Sequence, residues 1–429
     1  MIQFNFLLQV FLVGFFLRSA TQIYLNWLNI SYLRHHGKTV PEIFRDIIDP
    51  EKLKRISAYT VDSENFQVIA TVANQGLFLG ILLSGFLPWL VRIVSSWEYG
   101  PIASGLIFFA VISVFTNLLR IPFNLYETFV IEERYGFNVM SFKMWISDLV
   151  KSLVIVAILG GLLLGLLLAL VIQGGEVWWI LAWLLVGGFE LILLWLFPVV
   201  ILPLFNKIDP MDNKGLEHRI TMLMGKVGIR AKGVFKMDAS KRSKHTNAFF
   251  VGLGRTKRIV LFDTLLTSHT EEEILAVLAH EAGHWKKKHV FRMLALLESL
   301  SLVSFFVVAK LLNWSLLYQT FGFQESPVYV GLFLIGTFLS LLGYFAQPLE
   351  SAISRKFELE ADGFALKLIG MGEPMRCALK RLAADNLANL SPHPLYAWFY
   401  YSHPPLVERI ERLKSDMDNP PSSPFRKRG

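Results

Sequence analysis

Seven long apolar stretches alternate with polar connectors along the chain. Each stretch has about 20 or more mostly apolar residues, which is the length an α-helix needs to cross a bilayer. The pattern therefore predicts a mainly α-helical membrane protein with seven transmembrane helices. The predicted spans are residues 4–28, 66–94, 102–125, 149–172, 177–205, 290–312 and 328–346.

The first apolar stretch has an alternative interpretation as a secretory signal peptide. No basic residues precede it, and no small-residue cleavage site follows it cleanly. We therefore predict an uncleaved membrane span.

The segment between the fifth and sixth spans is polar and has the pattern of an α+β unit. A helix is predicted over residues 214–227 and a strand over 233–238. Strands 245–253 and 257–262 are separated by a glycine-containing turn, which predicts a β-hairpin. Thr270 and Glu273 have the spacing of a capping box and predict the start of a further helix.

These patterns divide the chain into transmembrane and polar parts. The segment after the seventh span is predicted to be helical, and a basic tail rich in Pro and Ser is predicted to be disordered. The predicted units are residues 1–205, 206–289, 290–346, 347–418 and 419–429.

Composition agrees with a membrane protein. Hydrophobic residues make up 53% of the chain and charged residues 18%, and the mean hydropathy is +0.46. Soluble proteins have about 25% charged residues. The net charge of +8 comes from basic residues in the connectors, which favours lipid contact and membrane orientation over nucleic acid binding. Cys377 is the only cysteine, so the chain has no intrachain disulfide or cysteine zinc site.

The basic residues also predict the orientation in the membrane. Nearly all of them lie after spans one, three and five and in the C-terminal region. By the positive-inside rule, the N-terminus is outside or lumenal, and the C-terminus is cytoplasmic. The polar segments 206–289 and 347–418 are then on the same, cytoplasmic face of a bacterial inner membrane or an ER membrane.

His280, Glu281 and His284 form a His-Glu-x-x-His motif in the capped helix. Imidazoles four residues apart lie about 40° apart around a helix, so both can bind one Zn²⁺ ion. Glu281 is then in place as a general base for an attacking water. The motif alone is equally compatible with two histidines on a solvated helix face.

Glu358 and Asp362 are the candidates for completing the metal site. They are four residues apart on one helix face after the seventh span, whereas Glu360 points away from Glu358. Glu358 is the predicted third zinc ligand, and Asp362 is predicted to orient a ligand histidine. The alternative is a solvated acidic helix face.

Three further residues are candidates for substrate contacts. His403 precedes two prolines and has the chemistry to donate a hydrogen bond to an oxyanion, although an aromatic-flanked histidine is often simply packed. Asn247 and Ala248 lie on the first hairpin strand, whose edge is suited to pairing with an extended peptide. The hairpin could instead only support the metal-binding helix.

Glu190 lies in the middle of span five, where an ionisable residue usually faces a partner or water.

Several motifs together resemble those of the type 1 CAAX prenyl proteases. These are integral-membrane zinc metalloproteases that mature the yeast a-factor pheromone and prelamin A. The similarity extends through most of the chain. The motifs are FVIEERYGFN at 129–138, LPLFNK at 202–207, HTNAFFVG at 245–252, HEAGHW at 280–285, RxxExxAD at 355–362 and SHPPLVERI at 402–410.

The resemblance implies a ring of seven transmembrane helices around a water-filled chamber, capped by a zincin-like metalloprotease domain. It implies one Zn²⁺ per chain, held by His280, His284 and Glu358, with Glu281 activating the water. It also implies that Asn247 and His403 contact the substrate, and that Asp362 supports the metal site or donates a proton. The implied substrates are prenylated peptides or proteins with a C-terminal CAAX sequence.

Two alternative functions remain open at the level of sequence. The first is a quality-control protease that degrades membrane proteins without requiring a lipid. The second is a transporter or scaffold with a structural zinc ion, although such a site usually has a fourth protein ligand.

Overall fold

The computed structural model describes residues 2–229, 231–252, 258–370 and 372–418, with side chains described up to residue 414. The predicted turn of the hairpin and the predicted basic tail, residues 419–429, lie outside these ranges.

Within the described residues, seven helices are long and apolar enough to cross a membrane, which confirms the predicted number. Most extend beyond the apolar runs into the polar connectors, because helical hydrogen bonding does not stop where hydropathy falls. The helical segments are Phe6–His36, Pro50–Leu83, Pro101–Glu132, Phe142–Gln173, Gly175–Phe205, His289–Leu311 and Val328–Ile369.

Helices are numbered in chain order. A short π-helical turn at residues 127–132 ends the third span, and two others interrupt the fourth and fifth spans at residues 156–160 and 197–201. The helices are α1 Phe6–His36, α2 Pro50–Leu83, α3 Phe86–Ser95, α4 Pro101–Tyr126, α5 Phe142–Ile155, α6 Gly161–Gln173, α7 Trp178–Leu196, α8 Leu202–Phe205, α9 Lys214–Lys226, α10 Asp263–Ser268, α11 Glu271–Lys286, α12 His289–Leu311, α13 Ser315–Thr320, α14 Val328–Ile369, α15 Glu373–Asp385, α16 Pro394–Tyr400 and α17 Leu406–Asp418.

The predicted second span, residues 66–94, differs from the structure. It consists of the end of α2 and the separate helix α3, with a break at Ser84 and Gly85. Gly85 has a φ of 83°, a left-handed conformation that glycine adopts without steric cost and that ends a helix. Hydropathy is continuous across this break, so the apolar pattern did not reveal it.

A sheet of four described strands has the order β1-β2-β4-β3. β2 and β4 are parallel, and β3 and β4 are antiparallel, which confirms the hairpin. β1 was not predicted, because three residues ending in proline have no alternating pattern. β3 lies at one edge of the sheet and contacts α11. The strands are β1 Ile208–Pro210, β2 Val234–Met237, β3 Ala248–Val251 and β4 Arg258–Phe262.

Helix α11 lies at the centre of the polar unit. The predicted capping box is present, since the Thr270 hydroxyl accepts from the Glu273 N–H and the Glu273 carboxylate accepts from the Thr270 N–H. Three glutamates in the first turn complement the positive end of the helix dipole. The buried face of α11 packs against α9, the sheet and α14. Lys288, with a φ of 57°, precedes α12 as its N-cap and separates it from α11.

Helix α14 is continuous over 42 residues and joins the seventh span to the polar unit. It packs closely along α11 at Gly283, where a Cβ would lie only 2.9 Å from Ala361 Cα and 3.0 Å from Ala361 O. The missing side chain allows the two backbones to approach, and this contact sets the separation of the helices beside the candidate metal ligands.

We expect Gly283→Ala to push α11 and α14 apart. Overpacking against backbone atoms costs about 1–3 kcal/mol, so the unfolding temperature and the bound metal per chain both fall. Gly363→Ala is the matched control on α14, because a Cβ there meets nothing within 4 Å. Alanine favours helix at that position, so the control keeps its metal and its stability. Equal metal content and stability in Gly283→Ala and wild type would contradict the role of this contact.

Candidate metal centre

His280, His284 and Glu358 converge on one point between α11 and α14. His280 Nε2 lies 3.3 Å from Glu358 Oε2, and His284 Nε2 lies 3.1 Å from Glu358 Oε1. The two imidazole Nε2 atoms are 3.1 Å apart. Ligands at about 2.0–2.1 Å around a tetrahedral ion are separated by roughly 3.3 Å, so the three side chains have the spacing of a metal site.

The burial of these groups also fits a metal ion. His280 and Glu358 are buried, and Glu358 Oε2 accepts no hydrogen bond from the described residues, with Arg409 Nη1 at 3.4 Å as a nearby cationic group. An unsatisfied buried carboxylate oxygen is costly unless a cation compensates it. The donor set of two imidazoles and one carboxylate leaves an open coordination position, as in catalytic rather than structural sites.

Asp362 supports His280 from behind. Its Oδ1 lies 2.7 Å from His280 Nδ1. An ionised carboxylate only accepts hydrogen bonds, so Nδ1 carries the proton, and the lone pair of Nε2 faces the metal position. Of the two histidines considered from the sequence, the structure brings Asp362 to His280.

Arg409 on α17 holds Asp362 in turn and was missed from the sequence. Its Nε lies 2.6 Å from Asp362 Oδ2, and its Nη2 lies 2.6 Å from Asp362 Oδ1. This bidentate pair is buried and fixes the plane of the carboxylate. Arginine on a polar helix has no sequence signature for such a role, and only its burial after folding identifies it.

His284 also has a support that the sequence did not reveal. His289 Nδ1 lies 3.0 Å from His284 Nδ1, and His289 Nε2 lies 3.2 Å from Glu360 Oε2. Glu360 contacts His289 and Arg292, and it reaches the second ligand histidine through His289. Each ligand histidine is therefore oriented by a carboxylate, which contacts His280 directly and reaches His284 through His289.

Glu281 faces the space beside the three metal-binding side chains, where it lines two cavities. Burial raises the pKa of its carboxyl, and the nearby histidines oppose this effect. A general base works best when its pKa approaches the working pH, so the environment of Glu281 suits proton transfer.

His403 lies next to the same site. Its Nε2 is 3.4 Å from Glu358 Oε1, and its Nδ1 is 2.9 Å from the Ser402 hydroxyl. The side chain is 61% exposed towards the cavities, so it is not simply packed in a core. The structure therefore brings His403 to the face of the site that is open to a substrate.

Asn247 and Ala248 line a cavity of about 670 Å³ together with His280, Glu281 and His403. Ala248 begins edge strand β3, and the Asn247 carbonyl accepts from the Phe262 N–H at 3.1 Å. Among the described residues, β3 pairs only with β4, and its other edge faces away from the sheet. All predicted site residues thus surround one centre.

A second, more apolar cavity of about 780 Å³ adjoins the site from the membrane helices. Leu193, Leu194 and Phe197 contribute from the fifth span, and Leu294 and Leu297 contribute from α12. Glu190 also lines this cavity, which agrees with the expectation that a mid-span carboxyl avoids lipid. Glu281, Glu358, Ser402 and His403 line both cavities, so the metal position lies where the two meet.

A seven-helix membrane protein with this His-Glu-x-x-His site is a membrane-embedded metallopeptidase by fold and by site. Residues 29–207 match the family model described as the CAAX prenyl protease N-terminal region with five membrane helices, and residues 210–417 match peptidase family M48.

Similar proteins cover nearly the whole chain. CAAX prenyl protease 1 of Saccharomyces cerevisiae is 34% identical, with 87% of this chain and 88% of that protein covered. A homologue from Arabidopsis thaliana is 33% identical, with 88% and 91% covered. The crystal structure of S. mikatae Ste24p matches with a TM-score of 0.90 at 31% identity and covers 94% of this chain and 98% of that one. The chain belongs to the CAAX prenyl protease 1 family of M48 metallopeptidases.

We expect Arg409→Met to weaken the metal site. Loss of the guanidinium leaves Asp362 buried without its counter-charge, which costs about 3–5 kcal/mol of folding free energy. Metal affinity falls about 10–100-fold, because the orientation of His280 is lost. Competition with a chelator measures the affinity.

Two variants control this prediction. Arg412→Met removes an exposed arginine from the same helix and leaves metal affinity unchanged. The double variant Asp362→Asn, Arg409→Met removes both charges of the pair and recovers part of the stability. Wild-type metal affinity in Arg409→Met would show that the Asp362 carboxylate needs no such support.

Proposed function

We propose that this protein is a membrane zinc endopeptidase that cleaves prenylated substrates near a C-terminal CAAX sequence. The observation that carries the proposal is the apolar cavity of about 780 Å³, which shares Glu281, Glu358 and His403 with the metal centre. Such a cavity has room for an isoprenoid chain beside the bond to be cleaved. The names of the similar proteins support the same substrate class.

One Zn²⁺ per chain is proposed as the cofactor, with His280, His284 and Glu358 as ligands. The separations of these three groups support this assignment, as does Glu358 Oε2, which accepts no hydrogen bond from the described residues. When bound, Zn²⁺ supplies Lewis acidity that polarises the scissile carbonyl and acidifies water. Asp362, held by Arg409, keeps His280 in the tautomer that binds metal.

Glu281 is the proposed general base. Its carboxylate takes a proton from the attacking water and passes it to the leaving amine nitrogen as the peptide bond breaks. The raised pKa of Glu281, caused by burial, favours holding the proton between these two steps. The charge on the carboxylate is restored when the amine departs.

His403 is the proposed donor to the oxyanion. If the Ser402 hydroxyl donates to Nδ1, the proton of the neutral ring is on Nε2, which faces the site. β3, beginning at Ala248, is proposed to pair with the extended substrate, with Asn247 adding side-chain contacts. Both groups would hold the scissile carbonyl between the metal position and His403.

The orientation in the membrane is part of the proposal. The distribution of basic residues supports a lumenal or external N-terminus and a cytoplasmic active site, in a bacterial inner membrane or an ER membrane. A structural metal in a transporter or scaffold is less well supported. A structural site is closed by a fourth protein ligand, whereas His280, His284 and Glu358 adjoin two cavities.

Substrate choice distinguishes prenyl processing from membrane-protein quality control. Purified protein is expected to cleave a farnesylated CAAX peptide at least about tenfold more efficiently than its unprenylated twin, since an apolar chain buried in the cavity contributes several kcal/mol. An unrelated peptide serves as the control, and a chelator abolishes cleavage of all three. Equal rates for the three peptides would support a quality-control protease without a lipid requirement.

Two substitutions separate chemistry from metal binding. Glu281→Gln is expected to retain zinc and to lower kcat by about 10²–10⁴-fold, because it removes only the base. Glu358→Gln is expected to lose zinc, with Glu350→Gln on the same helix as the matched control. Zinc content by elemental analysis and peptide cleavage are measured on each variant. Retained proteolysis in Glu281→Gln would overturn the proposed base, and full zinc content in Glu358→Gln would overturn the third ligand.

A further inference from the structure

The segment that leads into the edge strand β3 is attached to the membrane helices. Ser243 forms an isolated antiparallel bridge with Asn138, which follows the third span, and the Lys244 N–H donates to the Phe137 carbonyl at 3.1 Å. Nearby, Arg242 forms an ion pair with Asp148 of the fourth span at 2.8 Å. The proposed substrate strand therefore begins from a point defined by transmembrane helices.

His245 is the centre of this attachment. Its ring stacks on Phe137 with a centroid distance of 4.1 Å and an interplanar angle of 18°. Its Nδ1 lies 2.9 Å from Asn386 Oδ1, beyond the end of α15. Its Nε2 lies 3.4 Å from Glu132 Oε2, at the end of the third span. One imidazole thus joins a membrane helix, the start of the substrate strand and the C-terminal helices.

The partners determine the protonation of this ring. The Thr246 N–H also donates to Asn386 Oδ1, at 3.1 Å, so that atom is an acceptor, and His245 Nδ1 must carry a proton. Glu132 accepts from the Tyr59 hydroxyl at 2.6 Å and, when ionised, can only accept, so Nε2 carries a proton as well. His245 is then an imidazolium paired with the Glu132 carboxylate.

The pKa of His245 agrees with this state. Burial lowers the pKa, but the hydrogen bonds to Glu132 and Asn386 and the charge of Glu132 outweigh burial and raise it above its ordinary value.

The same contacts reach the residues proposed to bind substrate. Thr246 is buried. Its N–H donates to Asn386 Oδ1, and Asn386 Nδ2 donates to the Thr246 hydroxyl at 3.4 Å. The carbonyl of His245 accepts from the Thr264 hydroxyl at 2.8 Å. Asn247 and Ala248 follow directly and line the cavity beside His280. The contacts of residues 245 and 246 with the third span and with Asn386 therefore determine where the edge of β3 begins relative to the metal centre.

We propose that His245, paired with Glu132 and Asn386, is a positioning residue that sets the register of the substrate strand against the metal centre. His245 touches neither the metal ligands nor the cavity that holds the scissile bond, so it acts through Asn247 and Ala248. Because Glu132 ends a transmembrane helix, the pair also makes substrate alignment depend on the arrangement of the membrane helices. This inference rests on the proposed peptidase function.

The test compares KM and kcat for a peptide substrate together with zinc content. His245→Ala is expected to raise KM about tenfold or more, because hydrogen bonds that involve a charged group are lost. The zinc content and kcat stay within about threefold, because the metal ligands and Glu281 are untouched. His218→Gln, an exposed histidine on α9, is the matched control and leaves all three quantities unchanged.

Two conservative variants keep the test valid if His245→Ala does not fold. His245→Asn keeps a donor near the position of Nδ1 but loses Glu132, and Glu132→Gln keeps the acceptor for Tyr59 but loses the charge. Each is expected to raise KM by a similar, smaller factor. The double variant is expected to resemble either single variant, because both remove one interaction.

The outcomes are distinguishable. Unchanged KM in the single variants, or fully additive effects in the double variant, would overturn the positioning role. A parallel loss of zinc would also overturn it, because His245 would then act through general stability. If the wild-type protein cleaves no peptide while it holds zinc, the proposed function itself fails, whatever the behaviour of His245.

Discussion

The close approach of α11 and α14 is the constraint on which the site depends. Two ligands lie on one helix and the third lies on the other, so a metal can be held only if the axes stay close and in register. Gly283 permits this contact, since a Cβ there would meet the backbone of Ala361. Helix α11 is followed by the sixth span, and α14 begins in the seventh span. The transmembrane segments therefore help to hold the metal ligands in place.

Around this contact, charge is compensated in pairs that each reach a ligand. Asp362 and Arg409 stand behind His280, and Glu360 stands behind His284 through His289. Burying so many ionisable groups is costly for stability unless each has a partner. Glu358 Oε2 accepts no hydrogen bond from the described residues, and Arg409 Nη1 lies 3.4 Å from it, so this oxygen keeps a lone pair for a metal ion.

The location of the site between two unlike cavities links the membrane to the chemistry. The apolar cavity is lined by the fifth span and α12, and the other cavity is lined by β3 and the C-terminal segments. A substrate that crosses the metal position would have one part beside transmembrane helices and the other beside polar groups. Lipid-attached peptides have this division of chemistry in one chain.

The number of spans, the capped α11, the hairpin and the spacing of His280, Glu281 and His284 could be predicted from the sequence, because each depends on short-range periodicity or capping. The sequence also placed Glu358 and Asp362 on one helix face. Three contacts could be seen only after folding: Asp362 with His280, Arg409 and His289 behind the metal ligands, and His245 with Glu132 across 113 residues. Such contacts depend on how distant helices pack, and single buried Arg or His residues leave no periodic signal. The break at Gly85 and strand β1 were missed for a related reason, since neither changes the local pattern of hydropathy.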